Sequence, residues 1–187
     1  MHTTFIALLR GINVGGHKPV AMSELKAMLT KLGFEDTRSL LQSGNLIFRG
    51  DSNDSHDLES MLEAETRKRL GLQADFMIRS AKEWRRVVER NPFRKEADAD
   101  PGHLLVMFLK TAPKANEVRA AQDAIVGRET LRADGREMYI VYPDGIGRSR
   151  LTNVLLEKKL GARGTARNWN TVQKLLSVAD ELDRIGS

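Results

Sequence analysis

The strongest constraint on this chain is an order of apolar runs that occurs twice. Phe5 to Arg10 is a short apolar run of strand length, and Leu25, Met28, Leu29 and Leu32 follow at i, i+3, i+4, i+7 until Gly33, the spacing of one helix face. Thr37 to Leu41 and Leu46 to Arg49 are two short runs parted by Gln42-Ser43-Gly44-Asn45, a polar hairpin signal. A second helix is marked by Leu58, Met61 and Leu62 and ends near Gly71, and Phe76 to Arg79 makes a fourth strand. The order βαββαβ then returns. Its parts are a strand at His103 to Lys110, a helix at Ala115 to Ile125 before Gly127, strands at Glu129 to Arg132 and Glu137 to Tyr142 around Asp134-Gly135, a helix with Leu151, Val154 and Leu155 closing at Gly161, and a short strand around Arg163.

Phe5-Ile6-Ala7-Leu8-Leu9-Arg10 matches Leu105-Val106-Met107-Phe108-Leu109-Lys110, and Arg67-Lys68-Arg69-Leu70-Gly71 matches Glu157-Lys158-Lys159-Leu160-Gly161. Element order and loop lengths therefore predict an α+β chain of two tandem ferredoxin-like βαββαβ subdomains. Between them, Ser80-Ala81-Lys82-Glu83 is a capping-box pattern that starts an extra linking helix, with Trp84, Val87 and Val88 on its apolar side and a stop at Asn91-Pro92. The stretch from Asn91 to Gly102, with two prolines and mixed charges, reads as a linker. A C-terminal helix from Asn168 carries Val172, Leu175, Leu176, Ala179 and Leu182. The expected division is 1–80, 81–102 and 103–187.

Composition removes several classes of function. The 187 residues include no Cys, which excludes disulfides, Cys-ligated zinc, iron–sulfur clusters and a thiol nucleophile. A chain of this size buries roughly 70% of the surface its unfolded form exposes, enough for a core without such supports. The apolar run Phe5 to Leu9 is too short for a membrane span or a signal-peptide core, so cytoplasmic residence without membrane association is expected. His2, His17, His56 and His103 stand singly, without metal-ligand spacing, and the glycines after Arg10 fit neither G-x-G-x-x-G nor a P-loop, since His17 stands where Lys is required. No cofactor is implied. No G-x-S-x-G elbow occurs, Ser43 has no sequence-visible base, and the central strands carry no RRM consensus beyond Tyr139 and Tyr142.

Charge is distributed unevenly. The net charge is +5, yet Gly145 to Lys174 alone holds seven Lys and Arg against Glu157, a net +6. Any attraction for phosphate is therefore local. Two polar clusters stand out. In a βαββαβ unit the first and third strands are antiparallel neighbours, which should bring Arg10, Asn13, Gly15 and Gly16 beside Gln42, Ser43 and Asn45. Their amides, hydroxyls and glycine backbone suit a ligand, and they equally suit a tight connection and a hairpin turn. The second cluster joins a helix expected to begin at Ser149, flanked by Arg148 and Arg150, to one beginning at Asn168, flanked by Arg167 and followed by Asn170. Ser149 and Asn168 suit ordinary capping, while the arginines add bidentate contacts for an anion. Trp169 falls on the apolar stripe and reads as a core anchor.

Leu8-Leu9-Arg10-Gly11-Ile12-Asn13-Val14-Gly15-Gly16, Leu41-Gln42-Ser43-Gly44-Asn45 and Thr165-Ala166-Arg167-Asn168-Trp169-Asn170-Thr171-Val172, with Asn91-Pro92-Phe93 and Ser149-Arg150-Leu151, resemble the signature segments of the bacterial domain-of-unknown-function-1697 family. The resemblance runs nearly end to end, apart from Lys18 to Met22, which departs from the family's usual wording. It implies two α+β subdomains resembling ferredoxin-like folds, and no established activity or catalytic residues. The residues leave three functional classes open. One is binding of a phosphate-bearing ligand, a nucleotide or nucleic acid, through a basic surface. The second is an enzyme on a small anionic metabolite, and the third is a structural or protein-interaction module with no partner specified.

Overall fold

The computed structural model of the protein describes residues 2–11, 22–40, 44–51 and 54–185. Among them are two four-stranded antiparallel sheets and seven α-helices. The chain divides into two compact units, Met1–Arg86 with Leu175–Ser187, and Val87–Lys174.

In the first unit the elements run β1 (Thr3–Arg10), α1 (Met22–Lys31), β2 (Glu35–Ser39), β3 (Asn45–Gly50), α2 (Ser55–Leu70), β4 (Asp75–Ser80) and α3 (Ala81–Glu89). The sheet order is β2-β3-β1-β4, and β1 pairs antiparallel with both β3 and β4. Phe5, Ala7 and Leu9 of β1 pack with Leu46, Phe48, Phe76 and Ile78 against Leu25, Met28 and Leu29 of α1 and Leu58 and Leu62 of α2. Ile6, Leu8, Ile47 and Met77, on the other face of the sheet, are buried as well. That is why β1 reads as an unbroken apolar run and not as an alternation.

The outer strand β4 has an acidic cover. Phe76 N–H donates to Glu63 Oε1 at 2.9 Å, Ile78 N–H to Glu59 Oε1 at 2.8 Å, and Ser80 N–H to Glu83 Oε2 at 2.7 Å. Three successive outward donors of an edge strand are thus occupied by carboxylates, which removes them as a template for pairing with another chain. Two of these carboxylates lie one turn apart on α2, and the third closes the expected capping box, because Glu83 N–H also donates to Ser80 Oγ at 3.2 Å.

The second unit follows with α4 (Arg94–Ala99), β5 (Leu104–Leu109), α5 (Ala115–Asp123), β6 (Thr130–Asp134), β7 (Glu137–Val141), α6 (Asn153–Leu160), β8 (Gly164–Asn168) and α7 (Trp169–Ile185), whose last eleven residues belong to the first unit. The sheet order β6-β7-β5-β8 repeats that of the first unit. Leu105, Met107 and Leu109 pack with Met138, Ile140, Leu131, Leu156 and Leu160. Both α2 and α6 end on a left-handed glycine, Gly71 (φ 68°) and Gly161 (φ 62°), at the positions the repeated sequence marks. Gly164 is required for space: a Cβ there would lie 2.8 Å from the Phe108 carbonyl oxygen and 2.7 Å from Leu109 Cδ2.

Several boundaries differ from the sequence expectation. The stretch 91–102, expected as loop, contains the short helix α4. Asn91 Oδ1 accepts from Phe93 N–H at 2.9 Å, and α4 starts straight after this turn without burying a single residue. β2 begins at Glu35, two residues earlier than expected, and contains a bulge with Asp36 at φ 50°. The last strand is centred on Ala166 and not on Arg163. The helix expected from Ser149 begins at Asn153 and is capped by Thr152, whose hydroxyl accepts from Leu155 N–H at 3.2 Å. Ile146–Arg148 forms a separate 3-10 turn, after which Ser149 is extended.

Candidate functional site

The first polar cluster is described only in part. Asn13, Gly15, Gly16, Gln42 and Ser43 lie outside the described residues. The strand topology does bring the end of β1 to the turn before β3: Leu8 pairs with Asn45, and Leu9 N–H donates to the Gly44 carbonyl at 2.8 Å. Asn45 is fully buried and its Nδ2 donates to the Leu40 carbonyl at 2.9 Å, so its side chain closes the β2–β3 connection. Arg10 pairs with Asp75 at 3.1 Å across the β1–β4 ladder.

In the second cluster, β7 and β8 finish at the same end of their sheet, since Leu104 pairs with Val141 and Leu105 with Asn168. The chain leaving each strand leads into a helix start at that end. Asn168 Oδ1 accepts from Thr171 N–H at 2.9 Å, a cap on α7, and Trp169 is buried as its place on the apolar stripe predicts. Ser149 is not a cap. Its hydroxyl donates to Glu129 Oε1 and accepts from Leu151 N–H at 3.0 Å, which holds the chain between the 3-10 turn and α6. Nearby, the Arg128 guanidinium hydrogen-bonds the Asp144 carboxylate and holds it below the usual carboxylate range, with smaller help from the charges of Arg148 and His103.

Arg167 faces inward. It pairs with Val106 on the sheet face opposite Leu105 and Met107, and its Nη1 donates to Thr165 Oγ1 and the Ala166 carbonyl, both at 2.8 Å. Burial disfavours its charge and lowers its pKa to about 10. The equivalent position of the first unit holds Arg79, opposite Ile6, whose Nη1 donates to the Ile78 carbonyl at 2.8 Å and lies 3.4 Å from Glu59 Oε1. Sequence reasoning singled out Arg167 and missed Arg79. The signal was there, because both arginines stand three residues beyond the edge-strand residue that pairs with the matched Leu9 or Leu109.

Around α6 the cations remain outside. Arg148, Arg150, Lys158, Lys159 and Lys174 are exposed and make no salt bridge among the described residues. Glu157, the single acid of the segment, turns its Oε1 to Gly164 N–H at 2.9 Å. The eight residues of α6 span about 12 Å, which separates the arginines before the helix from the lysines at its end. Asn170 is exposed at the start of α7. Tyr139 and Tyr142 are buried and donate to the Val87 and Leu151 carbonyls at 2.7 and 2.9 Å, and desolvation raises both phenols well above their usual range. Neither ring is presented for stacking on a base.

Among the described residues no cluster of three His, Asp or Glu side chains could hold a metal ion, and no helix is long and apolar enough to cross a membrane. The first unit holds a cavity beside α3 that involves Lys82 and Arg86, residues the sequence presented only as part of a helix.

The comparisons agree with the two-sheet architecture. Residues 2–139 match the model of a family described as "Protein of unknown function (DUF1697)". The chain is similar to a solved structure of a conserved bacterial protein from Streptococcus pneumoniae, at 23% identity and a TM-score of 0.73, over 96% of this chain and 99% of that one. No curated protein matches the sequence.

Proposed function

As the chain belongs to the DUF1697 family, whose description names no activity, we propose from its charge arrangement that it binds a phosphate-bearing ligand, nucleotide or nucleic acid, with single-stranded nucleic acid as the form that fits best. The observation that carries this reading is the strip along α6. Cations stand open at both ends of a helix about 12 Å long, and the one acid among them is bonded to backbone. A small anion reaches one end of such a strip, whereas a chain of phosphates reaches both and gains a contact from each cation. The buried tyrosines argue for backbone contacts over base stacking.

Of the residues singled out in sequence, Arg148 and Arg150 belong to the strip. Ser149 holds the chain that leads into α6, and Asn168 caps α7. Arg167 and Asn170, in the same unit, remain candidates for further contacts, and Arg10, Asn13, Gly15, Gly16, Gln42, Ser43 and Asn45, in the first unit, remain candidates as a separate cluster. In the same reading 1–80 and 103–187 are two ferredoxin-like subdomains joined by 81–102, a view supported by the repeated βαββαβ order and the matching strand orders. A cytoplasmic location, expected from the sequence, belongs to the same proposal. Fluorescence anisotropy with a labelled single-stranded oligonucleotide tests it: binding should weaken with salt by about 0.7 in log K per log salt for each phosphate contacted. Absence of binding at low salt overturns it.

A further inference from the structure

The cavity of the first unit has a volume of about 510 Å³, inside the range of roughly 300–1,000 Å³ typical of small-molecule sites. It is lined by Thr3 and Phe5 of β1, Asp54 and Ser55 at the start of α2, Ser80, and Lys82, Glu83 and Arg86 of α3. The charges of this lining are sorted. Glu83, which shares α3 with the two cations, is turned to the strand: Oε1 accepts from Ser55 Oγ at 3.3 Å, and Oε2 from Ser80 N–H and Ser80 Oγ at 2.7 and 3.0 Å. Asp54 Oδ1 accepts from His56 N–H at 2.7 Å. The acids are therefore engaged by the backbone and the serines.

The cations are not. Lys82 and Arg86 lie four residues apart, on one face of α3, and neither has a hydrogen bond or ion pair among the described residues. Their neighbour Arg85 shows the contrast, since it is held by Asp180 and Asp183 at 2.6 and 2.5 Å. Within one helix, the arginine directed away from the cavity is neutralised, and the two cations at the cavity are left open.

We infer that this cavity binds a small hydroxylated phosphomonoester, with its phosphate between Lys82 and Arg86 and its hydroxyl groups toward Thr3 and Asp54. Two adjacent cations match the charge of a phosphate dianion, and a guanidinium adds paired donors. The site lies wholly in the first unit and does not depend on the strip of the second.

The test is an amide-resolved NMR titration of the full chain with inorganic phosphate, glucose 6-phosphate and glucose. Expected are saturable shifts at Ser55, Ser80, Lys82 and Arg86 with both anions, at least threefold tighter for glucose 6-phosphate, and none with glucose at the same concentration. The double variant Lys82→Gln with Arg86→Gln should lose affinity at least tenfold with an unchanged melting temperature, while Arg150→Gln leaves the titration as it was. No saturable shift with either anion overturns the proposal. So do shifts centred on the second unit, or binding that survives the double variant. Oligonucleotide affinity measured on the same variant separates this site from the α6 strip, because the strip's binding should not change.

Discussion

The outer strands of the two sheets meet the same requirement with different numbers of acids. Three carboxylates cover β4, from Glu59, Glu63 and Glu83, while β8 has Glu157 on Gly164, the residue equivalent to Phe76. Helix length explains part of this. Sixteen residues of α2 carry two glutamates past the strand, where the eight of α6 carry one. The two matching arginines follow suit. Arg79 and Arg167 each donate to the carbonyl of the preceding residue, but Arg79 lies 3.4 Å from a fully buried carboxylate, whereas the dominant influence on Arg167 is loss of water. A repeated scaffold has thus kept its positions and redistributed its charges. The first unit turns its acids into architecture, and the second leaves its cations on the surface.

This contrast is open to attack by mutation, and the largest effect belongs to Glu59. Glu59→Ala strands the buried Arg79 guanidinium and the Ile78 N–H, so chemical denaturation should show a loss of about 3–5 kcal/mol. A loss below about 1 kcal/mol would mean that the pair is not buried as described. Gly164→Ala drives a methyl group against the Phe108 carbonyl oxygen, which has no room to yield. The expected cost is about 1–3 kcal/mol, and a neutral result in the same denaturation assay contradicts the close approach of β8 to β5. Glu157→Ala removes one backbone cap and should cost about 1 kcal/mol, well below Glu59→Ala. Equal losses at the two positions would erase the distinction between the units.

Much of this architecture is legible in the sequence because burial leaves a periodic trace. Leu25, Met28 and Leu29 mark α1, the unbroken run at Phe5 marks a strand buried on both faces, and Gly71 and Gly161 mark two helix ends. Elements without that trace were misplaced or missed. α4 buries nothing, so no apolar spacing announces it. β2 and β8 are edge strands with polar residues, and their limits shifted accordingly. Ser149 has the chemistry of a cap, yet Thr152 three residues later has it too, and the 3-10 turn at Ile146–Arg148 decides between them. The basic strip was visible as composition. That Glu157 points inward was not, because the side chain's partner, Gly164 N–H, is fixed only once β8 pairs with β5.

Oligonucleotide binding across a range of salt, comparing the natural chain with a variant carrying Arg150→Gln, Lys158→Gln and Lys159→Gln, bears most directly on the role of the α6 strip. These side chains are exposed and unpaired, so stability should change by no more than about 0.5 kcal/mol per site. The predicted result is weaker binding at every salt concentration and a slope of log K against log salt that is shallower by about 0.7 for each lost phosphate contact. An identical slope and affinity in the two proteins would contradict the assignment of the strip as a phosphate-binding surface.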